Sequence, residues 1–182
     1  MTTRTAPPRR GATAAQRALR AGAADTAAAE FSLAVQYPVE TDAPTRAQVR
    51  RWIAATLAAL PAPRTSVFTV RFVGSREGRA LNLAHRGRDY ATNVLTFNLH
   101  EDAPRALAAT LPVMADIVVC LPVVKREARE QKKPMSAHLA HMIVHGTLHA
   151  HGYDHQNDAQ AGRMEALERA VLARFRIADP YQ

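Results

Sequence analysis

The chain has 182 residues, 47% of them hydrophobic, which suits one domain with a buried core and is too short for two full-sized domains. No apolar run reaches about 18 residues, so we expect no transmembrane helix and no membrane partner. The single cysteine, Cys120, excludes an intramolecular disulfide and multi-cysteine metal sites and favours a reducing, cytoplasmic location. The formal net charge of +8 favours a polyanionic partner, nucleic acid above all.

The first 30 residues are rich in Ala and Arg and poor in large apolar side chains. Leu19 is the one large aliphatic residue before the first aromatic, Phe31. Such a segment buries too little surface to offset the entropy lost on ordering, so we predict a disordered extension over residues 1–30. An organellar transit peptide has a similar composition and remains an alternative. Residues 31–182 are predicted to form a single domain.

Strand and helix patterns interleave along the rest of the chain. A strand is expected at 31–37, followed by a helix at 45–60 that Pro61 ends. A strand at 66–73, a helix at 77–85, and strands at 92–97 and 113–120 follow, the last two separated by a long loop. Helices then cover 123–132, 136–150 and 158–175, with Ser136 as the expected cap of the second. The order predicts an α+β fold, a small mixed sheet of about four strands packed with about five helices.

Histidines cluster near the end of the chain. Six of the eight histidines fall between His138 and His155. At about 100° per residue, His138, His141, His145 and His149 share one face of the predicted helix. Histidine is the commonest side-chain metal ligand, so this clustering indicates a metal site on that helix.

The spacing identifies three ligands. His145 and His149 lie one helical turn apart, Gly152 can end the helix in a left-handed conformation, and the returning chain can bring His155 to the same ion. Three neutral ligands and an open fourth position are typical of a catalytic zinc site, in which the pKa of water falls toward about 7. One Zn²⁺ is the expected cofactor, and three histidines would also accept nickel, copper or iron. His151 should point away from the ion.

Zinc peptidases share this spacing, but their first histidine is followed by a glutamate that acts as the general base. Gly146 occupies that position here. A peptidase would need a base from elsewhere, so peptide hydrolysis is the weaker hypothesis. Gly146 would instead permit close helix packing or leave room for a bulky polymer.

The segment HGTLHAHGYDH, residues 145–155, resembles the signature of the YbeY-type endoribonucleases, which are rRNA maturation factors. Further resemblance lies in LNLAHRGRDYATNVLTF, in the strand MADIVVC, and in the MEALE helix at 164–168. Together these motifs extend the resemblance from about residue 31 to the end of the chain. Ala115, Asn98 and the pair Ala150-His151 depart from the family pattern without touching the three proposed ligands.

The resemblance implies a single-strand-specific, metal-dependent endoribonuclease acting in rRNA maturation, including 16S rRNA 3′-end processing, and in ribosome quality control. Single-stranded RNA, rRNA and ribosomal particles are then the expected partners. Arg86 becomes the expected phosphate clamp, because its planar guanidinium suits phosphate oxygens. Asp154 is expected either to take part in catalysis, by proton transfer or by orienting a ligand, or to cap the turn after Gly152.

Other residues receive supporting roles in this hypothesis. Asp116 should be unfavourable within an apolar strand unless paired, so we expect it to orient a histidine or to bond loop backbone, and His141 to support a ligand. Lys132 and Lys133 are expected to bind RNA phosphates, and His138 either packs or contacts substrate. Two alternatives stay open: a ribosome assembly factor with a mainly structural metal, and a zinc hydrolase of a peptide-like substrate.

Overall fold

The computed structural model describes residues 30–38 and 42–182. The predicted extension, residues 1–30, lies outside the described residues except for Glu30. These residues include four strands: β1 (Phe31–Gln36), β2 (Ser66–Val73), β3 (Val94–Asn98) and β4 (Val113–Cys120). Six helices are described: α1 (Arg46–Leu57), α2 (Ser75–Arg86), α3 (Arg105–Ala108), α4 (Leu121–Glu130), α5 (Met135–Ala150) and α6 (Asp158–Ala173). Across these residues, no helix is both long and apolar enough to cross a bilayer.

The four strands form one mixed sheet in the order β1-β2-β4-β3. β1 and β4 both run parallel to the central β2, whereas β3 pairs antiparallel with β4. The predicted α+β fold with a small mixed sheet is therefore confirmed. A one-turn helix, α3, adds to the five expected helices and occupies the long connection between β3 and β4.

Alternation along β4 sorts its side chains onto two faces of the sheet. Ala115, Ile117 and Val119 belong to the larger core, which α1, α5 and α6 complete. Val118 and Cys120 belong to a smaller core on the opposite face, where residues of α2 pack. Because both faces of β4 are covered by other elements, most of its side chains are apolar, which explains the near-continuous apolar run in the sequence.

Helix α5 packs between the sheet and the other helices, and it is apolar around most of its circumference. Its close approach to the sheet depends on Gly146. A Cβ at that position would lie 2.9 Å from Ile117 Cγ2 and 3.0 Å from Thr96 Oγ1. Of the two roles considered for Gly146, the structure therefore supports close packing.

The start of α5 differs from the sequence-based prediction. Helix α5 begins at Met135, and the residue at its N-cap is Pro134, so Ser136 is not the cap. The Pro134 carbonyl accepts hydrogen bonds from the backbone nitrogens of Ala137 and His138. The end of the helix agrees with the prediction, because Gly152 takes a φ of 81° and the nitrogen of Tyr153 donates to the Leu148 carbonyl.

Replacing Gly146 with alanine should destabilise the protein by about 1–3 kcal/mol, because the added methyl group forces α5 away from Ile117. Urea unfolding provides the measurement. Gly162→Ala is the matched control, since Gly162 lies in α6, where an added Cβ would meet no neighbouring atom within 4 Å. There the gain in helix propensity should leave stability unchanged or raised by up to about 1 kcal/mol. Equal effects of the two substitutions would contradict the packing role of Gly146.

Candidate metal centre

The structure brings His145, His149 and His155 together. Nε2 of His145 lies 3.0 Å from Nε2 of His149, one turn along α5. The turn at Gly152 returns the chain so that the His155 ring lies 5.5 Å from the His145 ring and 5.0 Å from the His149 ring, between centroids. One nitrogen from each residue can be chosen so that all three lie within 4.8 Å of one another.

This donor set fits a zinc-like ion. Zinc–nitrogen bonds of about 2.0–2.1 Å in tetrahedral geometry place ligand nitrogens roughly 3.3 Å apart, close to the 3.0 Å between the His145 and His149 nitrogens and within the 4.8 Å limit for all three. Burial, followed by the charges of His145 and His155, lowers the pKa of His149 to about 4. His149 is therefore neutral at pH 7, which is the protonation state that binds a metal.

A buried carboxylate that the sequence analysis missed supports the cluster. Glu168 in α6 is completely buried, and its Oε1 accepts a hydrogen bond of 2.8 Å from Nδ1 of His145. Its Oε2 lies 3.3 Å from Nε2 of His141 and also accepts from the hydroxyl of Tyr181. The sequence does indicate that Glu168 is buried, because it lies at helical spacing from Met164 and Val171 on the inner face of α6.

Burial alone would raise the pKa of Glu168. Hydrogen bonds from His141, His145 and Tyr181 outweigh that effect and hold the pKa at about 2. The group is therefore an ionised carboxylate, which can only accept hydrogen bonds, so Nδ1 of His145 carries the proton. Nε2 of His145 is left to face His149 and His155.

A second group, His141, His145 and Glu168, also places potential ligand atoms within 4.8 Å of one another. Its separations of 2.8 and 3.3 Å are those of a hydrogen-bonded network. The Glu168 carboxylate at its centre has no exposed surface, so a substrate could not reach a coordination position of an ion bound there. We therefore assign this group to the support of His145, and His141 lies where a supporting residue was expected.

The structure corrects the role expected for Asp116 and, of the two roles considered for His138, supports packing and not substrate contact. Asp116 is exposed on the face of β4 opposite α5, where it lines a separate cleft of about 480 Å³ with Arg71 and Phe97, and it contacts no histidine of the cluster. Strand alternation is the reason, because Ala115 and Ile117 take the face toward α5. His138 is only 4% exposed, so it packs in the interior and is not placed to contact substrate.

The histidines open onto a cleft of about 420 Å³ whose lining includes Asn93, Val94, His141, His145, His155 and Tyr181. Asn93 stands at the start of β3, and its Nδ2 donates to both carboxylate oxygens of Glu127, at 3.3 and 3.1 Å. Nε2 of His138 lies 2.8 Å from Oε2 of the same carboxylate. His138 therefore supports the rim of the cleft from beneath.

The remaining predicted residues have distinct positions. Arg86 is exposed at the end of α2, and the described residues include no ion-pair partner for it. Asp154 Oδ1 accepts a 2.8 Å hydrogen bond from the backbone nitrogen of the next residue, His155, so of the roles considered for Asp154 the structure shows a local bond in the turn after Gly152. Lys132 is exposed, whereas the ammonium of Lys133 donates to the Pro180 carbonyl.

His151 points away from the cluster, as expected. Its Nδ1 lies 3.0 Å from the Thr147 carbonyl oxygen, and its ring lies 6.1 Å from that of Phe68. Burial lowers its pKa. The backbone carbonyl accepts only, so Nδ1 of His151 carries its proton.

The substitution Glu168→Gln should lower zinc affinity by about 10- to 100-fold, because it weakens the hydrogen bond that orients His145. Competition against a chromogenic chelator measures the affinity. Glu77→Gln is the control, since Glu77 lies in α2, does not line this cleft and pairs with Arg71 at 2.8 Å. A loss of the same size in both variants would contradict the specific role of Glu168.

Comparisons with known proteins identify the family of this chain. The sequence matches the family model described as Endoribonuclease YbeY over residues 35–176. A protein of that name from Thiobacillus denitrificans is 50% identical over 155 residues, covering 85% of this chain and 98% of the relative. One from Bordetella pertussis is 51% identical over 159 residues, with the same coverage.

A solved structure shares the fold. The solution structure of TM1509 from Thermotoga maritima superposes with a TM-score of 0.50 at 22% identity, covering 83% of this chain and 99% of that one. The family match spans most of the chain and includes all three histidines of the cluster. The chain belongs to the YbeY endoribonuclease family.

Proposed function

We propose that the protein is a metal-dependent endoribonuclease that cleaves single-stranded RNA in rRNA maturation, including 16S rRNA 3′-end processing, and in ribosome quality control. The observation that carries the proposal is the convergence of His145, His149 and His155 beside the buried carboxylate of Glu168, in a chain of this family. Ribosomal particles are the proposed partners. The proposed location is the cytoplasm, where bacterial ribosomes assemble.

The proposed mechanism assigns a task to each element of the site. A Zn²⁺ ion held by the three histidines would supply Lewis-acid chemistry, polarising a phosphoryl oxygen or lowering the pKa of water. Glu168 keeps the proton of His145 on Nδ1 and the ring in place. Asp154 bonds the backbone nitrogen of His155 through Oδ1, and its second carboxylate oxygen, which bonds nothing among the described residues, is our candidate for proton transfer.

Arg86 is the proposed phosphate clamp. Two nearby arginines are already engaged: Arg71 bonds Glu77 at 2.8 Å, and Arg79 bonds Asp89 through two nitrogens. The guanidinium of Arg86 has no such partner among the described residues and can bind two phosphate oxygens. The loop that follows it leads to Asn93, at the rim of the cleft.

The RNA backbone is proposed to cross a cationic surface. The exposed groups without an ion-pair partner in the described part of the chain include Arg76, Arg129 and Lys132. Lys133 was expected to join them, but its bond to Pro180 makes it an anchor of the last segment, so we propose only an indirect role. Recognition by charge predicts that RNA binding weakens as salt increases.

The two alternatives are weaker. A peptidase of this spacing needs a glutamate at position 146, where even a Cβ would contact Ile117 and Thr96. A purely structural metal would not need an open cleft, yet the cleft reaches His145 and His155. Each alternative can be distinguished from the endoribonuclease by the activity of purified protein.

Purified protein should contain about one zinc ion per chain and should cleave single-stranded RNA but not a duplex of the same sequence. His155→Ala should lose the metal and at least about 100-fold in cleavage rate, because it removes one of three ligands. His151→Gln is the control, since His151 neighbours the site but bonds Thr147, and it should retain both properties. Elemental analysis and a gel-based cleavage assay supply the measurements.

Metal loss in His155→Ala without loss of cleavage would indicate a contaminating nuclease and favour the assembly factor. Peptide hydrolysis that disappears in His149→Ala would replace the nuclease assignment with a peptidase.

Arg86→Glu should lower kcat/KM for RNA cleavage at least about tenfold, the equivalent of one charge-assisted hydrogen-bonded contact. Arg76→Glu is the matched control, because it makes the same change of charge at the opposite end of α2. Zinc content should be unchanged in both variants. Equal losses would show that Arg86 contributes only general electrostatic attraction.

A further inference from the structure

The segment Asp179–Gln182 lies against the metal centre and has no role in the function proposed so far. The ammonium of Lys133 donates to the Pro180 carbonyl, and the backbone nitrogen of Tyr181 donates to Asp179 Oδ1 at 3.0 Å. These bonds place the Tyr181 ring in the lining of the cleft, edge-on to the His141 ring at 5.7 Å between centroids.

The hydroxyl of Tyr181 reaches the most deeply buried charge of the site. It donates to Oε2 of Glu168, while Oε1 of the same carboxylate accepts from His145. The other partner of Oε2, His141 Nε2, is 3.3 Å away, a long and therefore weak hydrogen bond. The phenol and His141 are the two partners of this oxygen among the described residues.

A carboxylate with no exposed surface depends on its hydrogen bonds, because water cannot replace a missing partner. Without the phenol, Oε2 would keep only the long bond to His141, and the carboxylate could rotate about its last torsion. Rotation would weaken the bond from Oε1 to His145 Nδ1, which sets the orientation of that ring.

We propose that Tyr181 is a positioning residue of the metal centre: its hydroxyl fixes the Glu168 carboxylate, which in turn fixes the ring of His145. The inference rests on the proposed metal-dependent function. It makes the affinity for the ion depend on a segment 26 residues beyond the last ligand in the sequence. Lys133 contributes by fastening that segment.

Tyr181→Phe tests the proposal with little risk to folding, because it removes one oxygen and keeps the ring packed against His141 and Arg169. Zinc affinity of the full chain, measured by chelator competition, should fall by about three- to tenfold, less than for removal of the Glu168 charge itself. With Co²⁺ as the probe, the visible absorption bands should shift, because a reoriented ligand changes the coordination geometry. Tyr90→Phe is the control, since the Tyr90 hydroxyl bonds only Arg88 at the surface among the described residues.

A double-mutant cycle tests the route through Glu168. In a Glu168→Gln background, Tyr181→Phe should cause no further loss of zinc affinity, because the carboxylate it positions is already gone. A full, additive loss would overturn that route. The unfolding midpoint of the metal-free protein should be nearly the same with and without Tyr181→Phe, because the hydroxyl acts on a metal ligand and not on the stability of the fold. A large drop in the midpoint would instead indicate a structural role.

The outcomes separate this proposal from the one on which it depends. Wild-type protein that binds neither zinc nor Co²⁺ would overturn the metal-dependent function. Wild-type protein that binds zinc, together with a Tyr181→Phe variant of equal affinity and an identical Co²⁺ spectrum, would overturn the role of Tyr181 alone.

Discussion

The close contact between α5 and the sheet at Gly146 is the constraint on which the site depends. At this point a helix backbone rests on Ile117 and Thr96 with no space for a side chain. The contact fixes the rotation of α5 about its own axis, because any other rotation would bring a larger residue against the strand. With that rotation fixed, His145 and His149 are only partly buried, and His145 lines the cleft.

Hydrogen bonds to two carboxylates then fix the orientations of histidine rings on α5. On one side Glu168 joins His141, His145 and Tyr181, and on the other Glu127 joins His138 and Asn93. The rings of His138 and His141 lie 6.2 Å apart, so the two groups are neighbours along α5. Each carboxylate has its partners on different elements, so shifting one element would break part of its hydrogen bonds, at greatest cost for the completely buried Glu168.

The sequence predicted those parts of the site that are local in the chain. The spacing from His145 to His155 and the turn at Gly152 required only helix geometry and the left-handed preference of glycine. The partner of His145 lies 23 positions later in another helix, and no local pattern connects the two residues. Glu168 does lie on the buried face of α6, and a carboxylate among apolar residues on a buried face indicates that it has hydrogen-bond partners.

The error at Asp116 has a related cause. Alternation in β4 shows that Asp116 and Ile117 point to opposite faces, but it does not show which face α5 covers. The number of strands and the class of fold, in contrast, followed from patterns within single elements. What the sequence could not supply was the mutual placement of distant elements, on which Tyr181 and Lys133 depend.

The unequal exposure of the three histidines bears on how an ion would enter and leave. His145 and His149 are half-buried on a rigid helix, whereas His155 is exposed on a turn. Two nitrogens are thus preorganised, and the third closes a loop of only a few residues, at small entropic cost. Exchange of the metal ion would accordingly proceed stepwise. The imidazole of His155 would bind last when an ion enters and detach first when it leaves.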